Sequence, residues 1–259
     1  MTEFTTMLVV TTVAGAATGL GALPVFARHR VSHRMYDGAL GFAAGIMIAA
    51  SVFGLILPGM EAGTLTAVAV GIFVGGFALL GANWMLPHVH ARYRGWRGEG
   101  GADDDPERLS TLRRAVLIGG AITLHNAPEG LAMGVAFASG LEEVAFLLAI
   151  VIGLQNVPDG FAFAVPMSDT GLSNWLVLLY TTLSGLVPQV GAALVGFSLV
   201  AIATGLFPVA AGFAAGAMMA VVFREMIPSS HGHGYADAAT AAFLVGFVLL
   251  IAIEELLTL

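Results

Sequence analysis

Two polar motifs interrupt the most apolar part of the sequence. HNAPEG (125–130) lies between AVLIGGAITL and LAMGVAFASG, and QNVPDG (155–160) lies between EVAFLLAIVIGL and FAFAVPM. Because proline removes a backbone hydrogen bond in a helix, each motif's proline frees the carbonyl of the leucine four residues earlier. The motifs therefore bring an imidazole, two carboxylates, amide oxygens and two free carbonyls into hydrophobic segments.

The spacing within each motif predicts one polar helix face. Residues four apart lie one turn apart on the same face of a helix. His125 is therefore expected beside Glu129, and in the second motif Gln155 beside Asp159. The asparagine that follows the first residue of each pair adjoins this face, about 100° around the helix axis.

Carboxylates in such a setting require a counter-charge. An ionised acid at membrane depth is unfavourable without a partner, and neither segment has an arginine or lysine beside Glu129 or Asp159. A divalent cation would neutralise both acids, and imidazole with carboxylate oxygen suits Zn²⁺ and also Fe²⁺, Mn²⁺ or Co²⁺. A hydrogen bond between His125 and Glu129, or to a neighbouring helix, would be the simpler explanation of one such motif. Two matched motifs favour a cation site.

The composition is that of a membrane protein. Of 259 residues, 58% are hydrophobic and 10% are charged, and the mean hydropathy is +0.89, whereas ordinary globular domains carry about 25% charged residues. Cysteine is absent, which excludes disulfides and thiolate metal ligands. The short basic clusters do not indicate a nucleic-acid partner. The first apolar run follows an acidic flank, MTEFTT, and is expected to be a retained helix rather than a cleaved signal.

Apolar runs long enough to cross a bilayer recur along the chain and predict an all-α polytopic membrane protein. We expect a single transmembrane domain over residues 1–259, with a flexible cytoplasmic loop at 88–111, where the sequence is polar and glycine-rich. The eight predicted transmembrane helices span about 4–27, 39–60, 64–86, 112–138, 143–167, 173–204, 206–228 and 238–258.

The basic residues predict the orientation. All ten are arginines, and with eight spans each falls at or beside connection 1–2, 3–4 or 7–8, which share one side. The positive-inside rule assigns that side to the cytoplasm and places both termini outside the cell membrane.

Two internal repeats predict an inverted topology. Helix 2 contains GFAAGIM (41–47) and helix 7 contains GFAAGAM (212–218), while helices 4 and 5 carry the two polar motifs. The members of each pair are an odd number of helices apart, so they cross the membrane in opposite directions, as in many secondary transporters. Shared glycine-alanine composition explains GFAAG alone equally well, but it does not explain the doubled N-x-P-[DE]-G pattern.

These features together resemble the ZIP (Zrt-, Irt-like) family of divalent metal transporters, close to its bacterial zinc-transporter branch. The resemblance covers the whole chain, and HNxPEG in helix 4 is its most specific motif. It implies a central pair of helices 4 and 5 between inverted repeats of helices 1–3 and 6–8. It also implies inward transport of Zn²⁺ as substrate, with no cofactor.

The resemblance also assigns site residues by position. Met47 in helix 2 matches a position that adds a thioether ligand, although an ordinary core methionine explains it equally well. The primary metal site corresponds to His125, Glu129, Gln155 and Asp159, and a secondary site, bridged by the two acids, to Asn126 and Asn156.

Three departures from the family pattern bear on that secondary site. Asp159 stands where helix 5 usually carries glutamate, and Asn156 stands where some relatives have an acid. Helix 6 reads SGLVPQ (184–189), with Pro188 or Gln189 where a carboxylate is expected. A second metal ion would have few anionic ligands, so we expect one strong site per protomer.

The end of helix 7 is a candidate cytosolic exit for the metal. FREMIPSSH (223–231) is similar to the family's E-x-I-P-E-S-H, and the exit residues would be Glu225, His231 and His233. A surface ion pair with the neighbouring arginine explains Glu225 equally well. Ordinary loop histidines remain the alternative for the other two, because a structural zinc site needs four ligands.

Other functions stay open at this point. An intramembrane metalloenzyme would use His125 and Glu129 with an activated water, although no HExxH-type signature is present. A metal sensor would use the same site. The sequence does not rank Zn²⁺ against Cd²⁺, Fe²⁺, Mn²⁺ or Co²⁺, and it does not give the direction of flux. The expected partners are the metal ion, the lipid bilayer and, through glycine-rich helix faces, a second copy in a homodimer.

We predict that calorimetric titration of the purified protein with Zn²⁺ yields one tight equivalent per chain. The reason is that helix 6 contributes no carboxylate to a second site. Two tight equivalents would contradict the single-site prediction.

Overall fold

The computed structural model describes residues 2–27, 31–96, 126–200 and 205–258, and for residues 83–96, 200, 257 and 258 the backbone alone. Within these ranges the chain forms helices and turns and no strand. The first four helices are α1 (Glu3–Ala16, continued by a 3₁₀ segment, Ala17–Phe26), α2 (His33–Ala49, then a π-helical turn, Ala50–Ile56, and Leu57–Glu61), α3 (Leu65–Trp96) and α4 (126–138). The others are α5 (Glu142–Ser168), α6 (Asn174–Val200), α7 (Phe207–Val221, then a π-helical turn, Val222–Met226, and Ile227–Ser230) and α8 (Ala236–Thr258).

The described helices confirm a polytopic α-helical membrane protein. Seven of them are long and apolar enough to cross a bilayer of roughly 30 Å. Those seven are Glu3–Phe26, His33–Glu61, Leu65–Ala82, Glu142–Ser168, Asn174–Leu199, Phe207–Ser230 and Ala236–Leu256. Residues 112–125, the first part of the predicted fourth span, lie outside the described residues, so the count of eight stays a prediction.

Two helix boundaries differ from the predicted ones. Helix α2 begins at His33 because the Ser32 hydroxyl accepts a hydrogen bond from the Met35 amide at 3.2 Å, which caps a polar first turn. Helix α3 continues to Trp96, past its predicted end at 86. The added segment, PHVHARYRGW, contains the strong helix formers Ala91, Arg92 and Arg94, and it is helical in spite of Pro87 and Gly95, which disfavour a helix interior. The remainder of the predicted loop, 97–111, is outside the described residues.

Helix α2 packs along α8, and α3 packs along α7. Glycine permits both close approaches, since a Cβ on Gly41 would collide with the carbonyl oxygen of Ala239 in α8. A Cβ on Gly216 would likewise collide with the carbonyl oxygen of Ile72 in α3. Gly41 belongs to the first GFAAG repeat and Gly216 to the second, so the two repeats perform the same packing task.

The same correspondence extends to the two polar motifs. A Cβ on Gly130, the last residue of HNAPEG, would collide with the carbonyl of Gln189 in α6. A Cβ on Gly160, the last residue of QNVPDG, would collide with the carbonyl of Thr18 in α1. Helix α4 therefore packs against α6 as α5 packs against α1. The α4–α6 contact and the α5–α1 contact are therefore equivalent contacts of two inverted repeats.

A π-helical turn interrupts α2 and α7 at corresponding places. Each turn follows a GFAAG repeat and precedes a short helical segment with a proline in its first turn, Pro58 in α2 and Pro228 in α7. Proline removes an i→i−4 hydrogen bond, so the preceding turn widens instead of keeping the α-helical pattern. The repeats thus share a local irregularity as well as a packing face.

We predict that Gly216→Ala lowers the melting temperature of the purified protein, because the added methyl group forces α7 away from the Ile72 carbonyl. Overpacking of this kind costs about 1–3 kcal/mol. The matched control is Gly81→Ala in α3, where a Cβ would meet nothing within 4 Å. Thermal denaturation in one detergent compares the two, and equal melting temperatures would show that the α3–α7 contact is not close.

Candidate metal site

The two polar motifs meet in the interior of the bundle. The Gln155 side-chain amide on α5 donates a hydrogen bond to Glu129 Oε1 on α4. Both side chains are completely buried. The contact joins the carboxylate of the first motif to the first residue of the second, so the two helices share one polar surface at this level.

The two asparagines tie this surface to the flanking helices. Asn156 Nδ2 donates to the Ala14 carbonyl of α1 at 2.7 Å and to Gln189 Oε1 of α6 at 2.9 Å. Asn126 Nδ2 donates to the Ser184 carbonyl of α6 at 3.4 Å. In both motifs the amide nitrogen therefore bonds a helix backbone, which leaves the amide oxygen available for another partner.

Three buried amide oxygens have no hydrogen-bond partner among the described residues, and they belong to Asn126, Gln155 and Asn156. A buried acceptor without a partner costs about 1–3 kcal/mol, so three in the two motifs require an explanation. Amide oxygens bind hard and borderline cations. The donor set of this surface thus suits a cation.

Two other residues assigned to the site, Asp159 and Met47, are buried. Asp159 is 2% exposed and lies one turn beyond Gln155 on α5. Met47 is fully buried in α2, and α2 packs on α5. His125 lies outside the described residues. Within the described ranges no three histidine, cysteine, aspartate or glutamate side chains form a metal-binding group. Among the described residues of the assigned site, only Glu129 and Asp159 belong to these four residue types.

Gln189 is, with Pro188, one of the two residues in α6 that stand where the family pattern leads us to expect a carboxylate. Its side chain is fully buried and its oxygen accepts from Asn156. A neutral amide at this place adds no negative charge to the surface. This agrees with the expectation that a second cation has few anionic ligands.

The three predicted exit residues occupy different environments. Glu225 lies partly buried in the π-helical turn of α7. The His231 ring is used locally, because its Nδ1 is 2.9 Å from the Ile227 carbonyl and 3.0 Å from the Ser230 hydroxyl. His233 Nδ1 instead contacts Asp37 Oδ1 of α2 at 2.7 Å.

Asp37 is a residue that the sequence analysis did not single out. It lies in the polar first part of α2, where a surface carboxylate is ordinary, yet it is completely buried. Its partner is 196 positions away in the chain. No local pattern could have revealed this pair.

An all-helical bundle of inverted repeats with buried polar residues at mid-helix is the architecture of secondary transporters. The comparisons agree. Residues 97–254 match the family model described as ZIP Zinc transporter. The chain is 36% identical to zinc transporter GufA of Myxococcus xanthus over 256 residues, which covers 95% of this chain and 97% of that protein.

Two further relatives extend the match. Zinc transporter ZIPB of Bordetella bronchiseptica is 38% identical over 254 residues, covering 93% of this chain and 78% of that protein. Human zinc transporter ZIP11 is 30% identical over 318 aligned residues, covering 92% of this chain and 93% of that protein. The chain belongs to the ZIP zinc transporter family. The family consists of transporters and not of enzymes.

We predict that Gln189→Glu raises the number of tight Zn²⁺ equivalents from one toward two. A glutamate accepts the same hydrogen bond from Asn156, so the local geometry is kept while a buried negative charge is added. The control is Gln189→Met, which is similar in size and neutral. Calorimetric titration of both variants measures the number of tight Zn²⁺ equivalents. An unchanged stoichiometry in Gln189→Glu would show that α6 does not face the site.

Proposed function

We propose that this protein carries Zn²⁺ across the cell membrane into the cytosol, and that the cation binds inside the bundle between α4 and α5. The proposed ligands are His125, Glu129, Gln155 and Asp159, with Asn126, Asn156 and Met47 as further donors. The observation that carries the proposal is the buried contact between Gln155 and Glu129, because it joins the two motifs at the same level.

Charge balance supports a divalent cation. Glu129 and Asp159 are both buried in helices that contribute no arginine or lysine within the described residues. Two carboxylates and one divalent ion are together neutral, which removes most of the penalty of burying each charge. The same argument gives no reason to bind an anion here.

The mixture of ligands supports a borderline ion. Imidazole nitrogen together with carboxylate and amide oxygen suits Zn²⁺ and admits Cd²⁺, Fe²⁺, Mn²⁺ and Co²⁺. The relatives named above are called zinc transporters, so we place Zn²⁺ first. The thioether of Met47 is a soft donor, and Cd²⁺ is therefore the competitor that we expect to bind best.

The direction of transport rests on the arginine distribution. The arginine-rich connections mark the cytoplasmic side by the positive-inside rule, so both termini face out. The proposed metal site lies between the cytoplasmic side and the outer ends of α4 and α5. We propose that the ion reaches the site from outside and leaves toward the arginine-bearing end, where Glu225 and His233 lie.

The test is Zn²⁺ uptake into proteoliposomes that contain the purified protein, with Cd²⁺, Fe²⁺, Mn²⁺ and Co²⁺ as competitors. We expect saturable uptake by the wild-type protein and background uptake by the His125→Ala/Glu129→Ala double variant. Glu129→Gln keeps the acceptor for Gln155 but removes the charge, so we expect its Zn²⁺ affinity to fall ten-fold or more, which corresponds to about 1.4 kcal/mol.

Ser139→Ala is the control in the turn that follows α4, because Ser139 lies outside both motifs and we expect the substitution to leave uptake at the wild-type level. If the wild-type protein binds Zn²⁺ but does not take it up, a sensing function would replace the proposed transport function. Equal uptake by the wild-type protein and the double variant would show that the transported ion does not bind at His125 and Glu129 of α4.

A further inference from the structure

A second cluster of polar side chains lies away from the α4–α5 site. It consists of His33, Tyr36 and Asp37 in the first turns of α2 and of His233 in the connection between α7 and α8. The His33 and His233 rings stack with centroids 4.5 Å apart. Tyr36 meets the His233 ring edge-on at 5.8 Å. We call these four residues the mouth cluster.

Asp37 is the unusual member of the mouth cluster. Its side chain is completely buried, and Oδ2 has no hydrogen-bond partner among the described residues. Oδ1 is the atom that contacts His233 Nδ1 at 2.7 Å. A buried carboxylate with half of its accepting capacity unused is unfavourable without a cation.

The mouth cluster also has an outlet to the surface. The His233 side chain is 25% exposed while that of Asp37 is 0% exposed, and the His33 residue is exposed. A cation at Asp37 would therefore be bound on its inner side by carboxylate and on its outer side by imidazole. Carboxylate with imidazole is a ligand combination that Zn²⁺ uses.

The position of the mouth cluster connects it to the α4–α5 site. The Tyr36 hydroxyl donates to the Ala162 carbonyl of α5 at 3.4 Å, and Ala162 lies three residues beyond Asp159. Three residues of α-helix rise about 4.5 Å. The cluster thus begins roughly one helical turn from the innermost acid, on the side toward which the arginine-bearing connections lie.

We propose that Asp37 and His233 form a second, weaker divalent-cation site, with His33 as a third ligand, that receives the ion released from the α4–α5 site. Its place in the path rests on the proposed function, but its ability to bind a cation does not. When the Asp37 carboxylate is ionised it can only accept, so in that state Nδ1 of His233 carries the hydrogen of the contact. The cation takes the place of that proton, which leaves to water.

The affinity of this site is lower than that of the α4–α5 site. Two ligands converge in the present arrangement, and His33 must rotate out of its stack on His233 before it becomes the third. Weak binding suits a transfer position, because an ion that is held tightly at the mouth would not leave. One tight equivalent and one weak equivalent per chain are therefore expected together.

The binding test uses Glu129→Gln/Asp159→Asn as the background, since this pair removes the charge of the α4–α5 site. We expect the background protein to retain one weak Zn²⁺ equivalent in equilibrium dialysis. Adding Asp37→Asn should weaken that equivalent ten-fold or more. Asparagine keeps the size of the side chain and an acceptor for His233, so the change removes charge and little else.

Asp237→Asn is the matched control, because Asp237 is an exposed carboxylate four positions after His233 and belongs to neither proposed site. It should leave the weak equivalent unchanged. If Asp37→Asn does not yield folded protein, His233→Gln at the partly exposed position gives the same comparison. A background protein that binds no Zn²⁺, or binding that is unchanged by both variants, would overturn the proposal.

A transport measurement then separates this proposal from the proposed function. In the otherwise wild-type chain, Asp37→Asn should lower the maximal rate of Zn²⁺ uptake several-fold and leave the tight equivalent intact. An unchanged maximal rate would remove Asp37 from the path. Absence of uptake in the wild-type protein would contradict the proposed function, while the dialysis result would still decide whether the mouth cluster binds a cation.

Discussion

The interior of this bundle must hold carboxylates and amides where there is little water to solvate them. Each polar group there requires a protein partner or a cation. The protein itself supplies some of these partners. Gln155 donates to Glu129, and Asn156 donates to Ala14 and Gln189, so these amide nitrogens of the second motif are used within the protein, while Gln189 Nε2 has no partner among the described residues. Oxygen acceptors are left over, which gives the surface a preference for positive charge.

Close helix packing encloses that surface, and one solution is used twice. The glycine that ends each motif, Gly130 or Gly160, allows a flanking helix to approach within backbone contact. GFAAG repeats do the same for α2 on α8 and α7 on α3. Since small residues bring helices together in lipid, the glycines decide which helices surround the site. Each half of the chain thereby supplies one side of the enclosure.

Local pattern was sufficient to predict the seven described spans, the paired motifs and the repeats, because each depends on residues close in sequence. The helical spacing predicted a polar face on each motif's helix, and the resemblance to the ZIP family assigned Gln155 and Glu129 to one site. The link between Asp37 and His233 did not, since their approach depends on how α2 packs against the end of α7. The π-helical turns were also missed, because a proline by itself indicates a kink and does not specify a widened turn.

Anomalous scattering at the zinc absorption edge, measured on crystals of the Zn²⁺-loaded protein, would test the central claim most directly. We expect the strongest peak between α4 and α5, within coordinating distance of Glu129, Gln155 and Asp159. A weaker peak beside Asp37 would accompany it. A strongest peak elsewhere in the bundle, or none at the two motifs in protein that has bound Zn²⁺, would contradict the account.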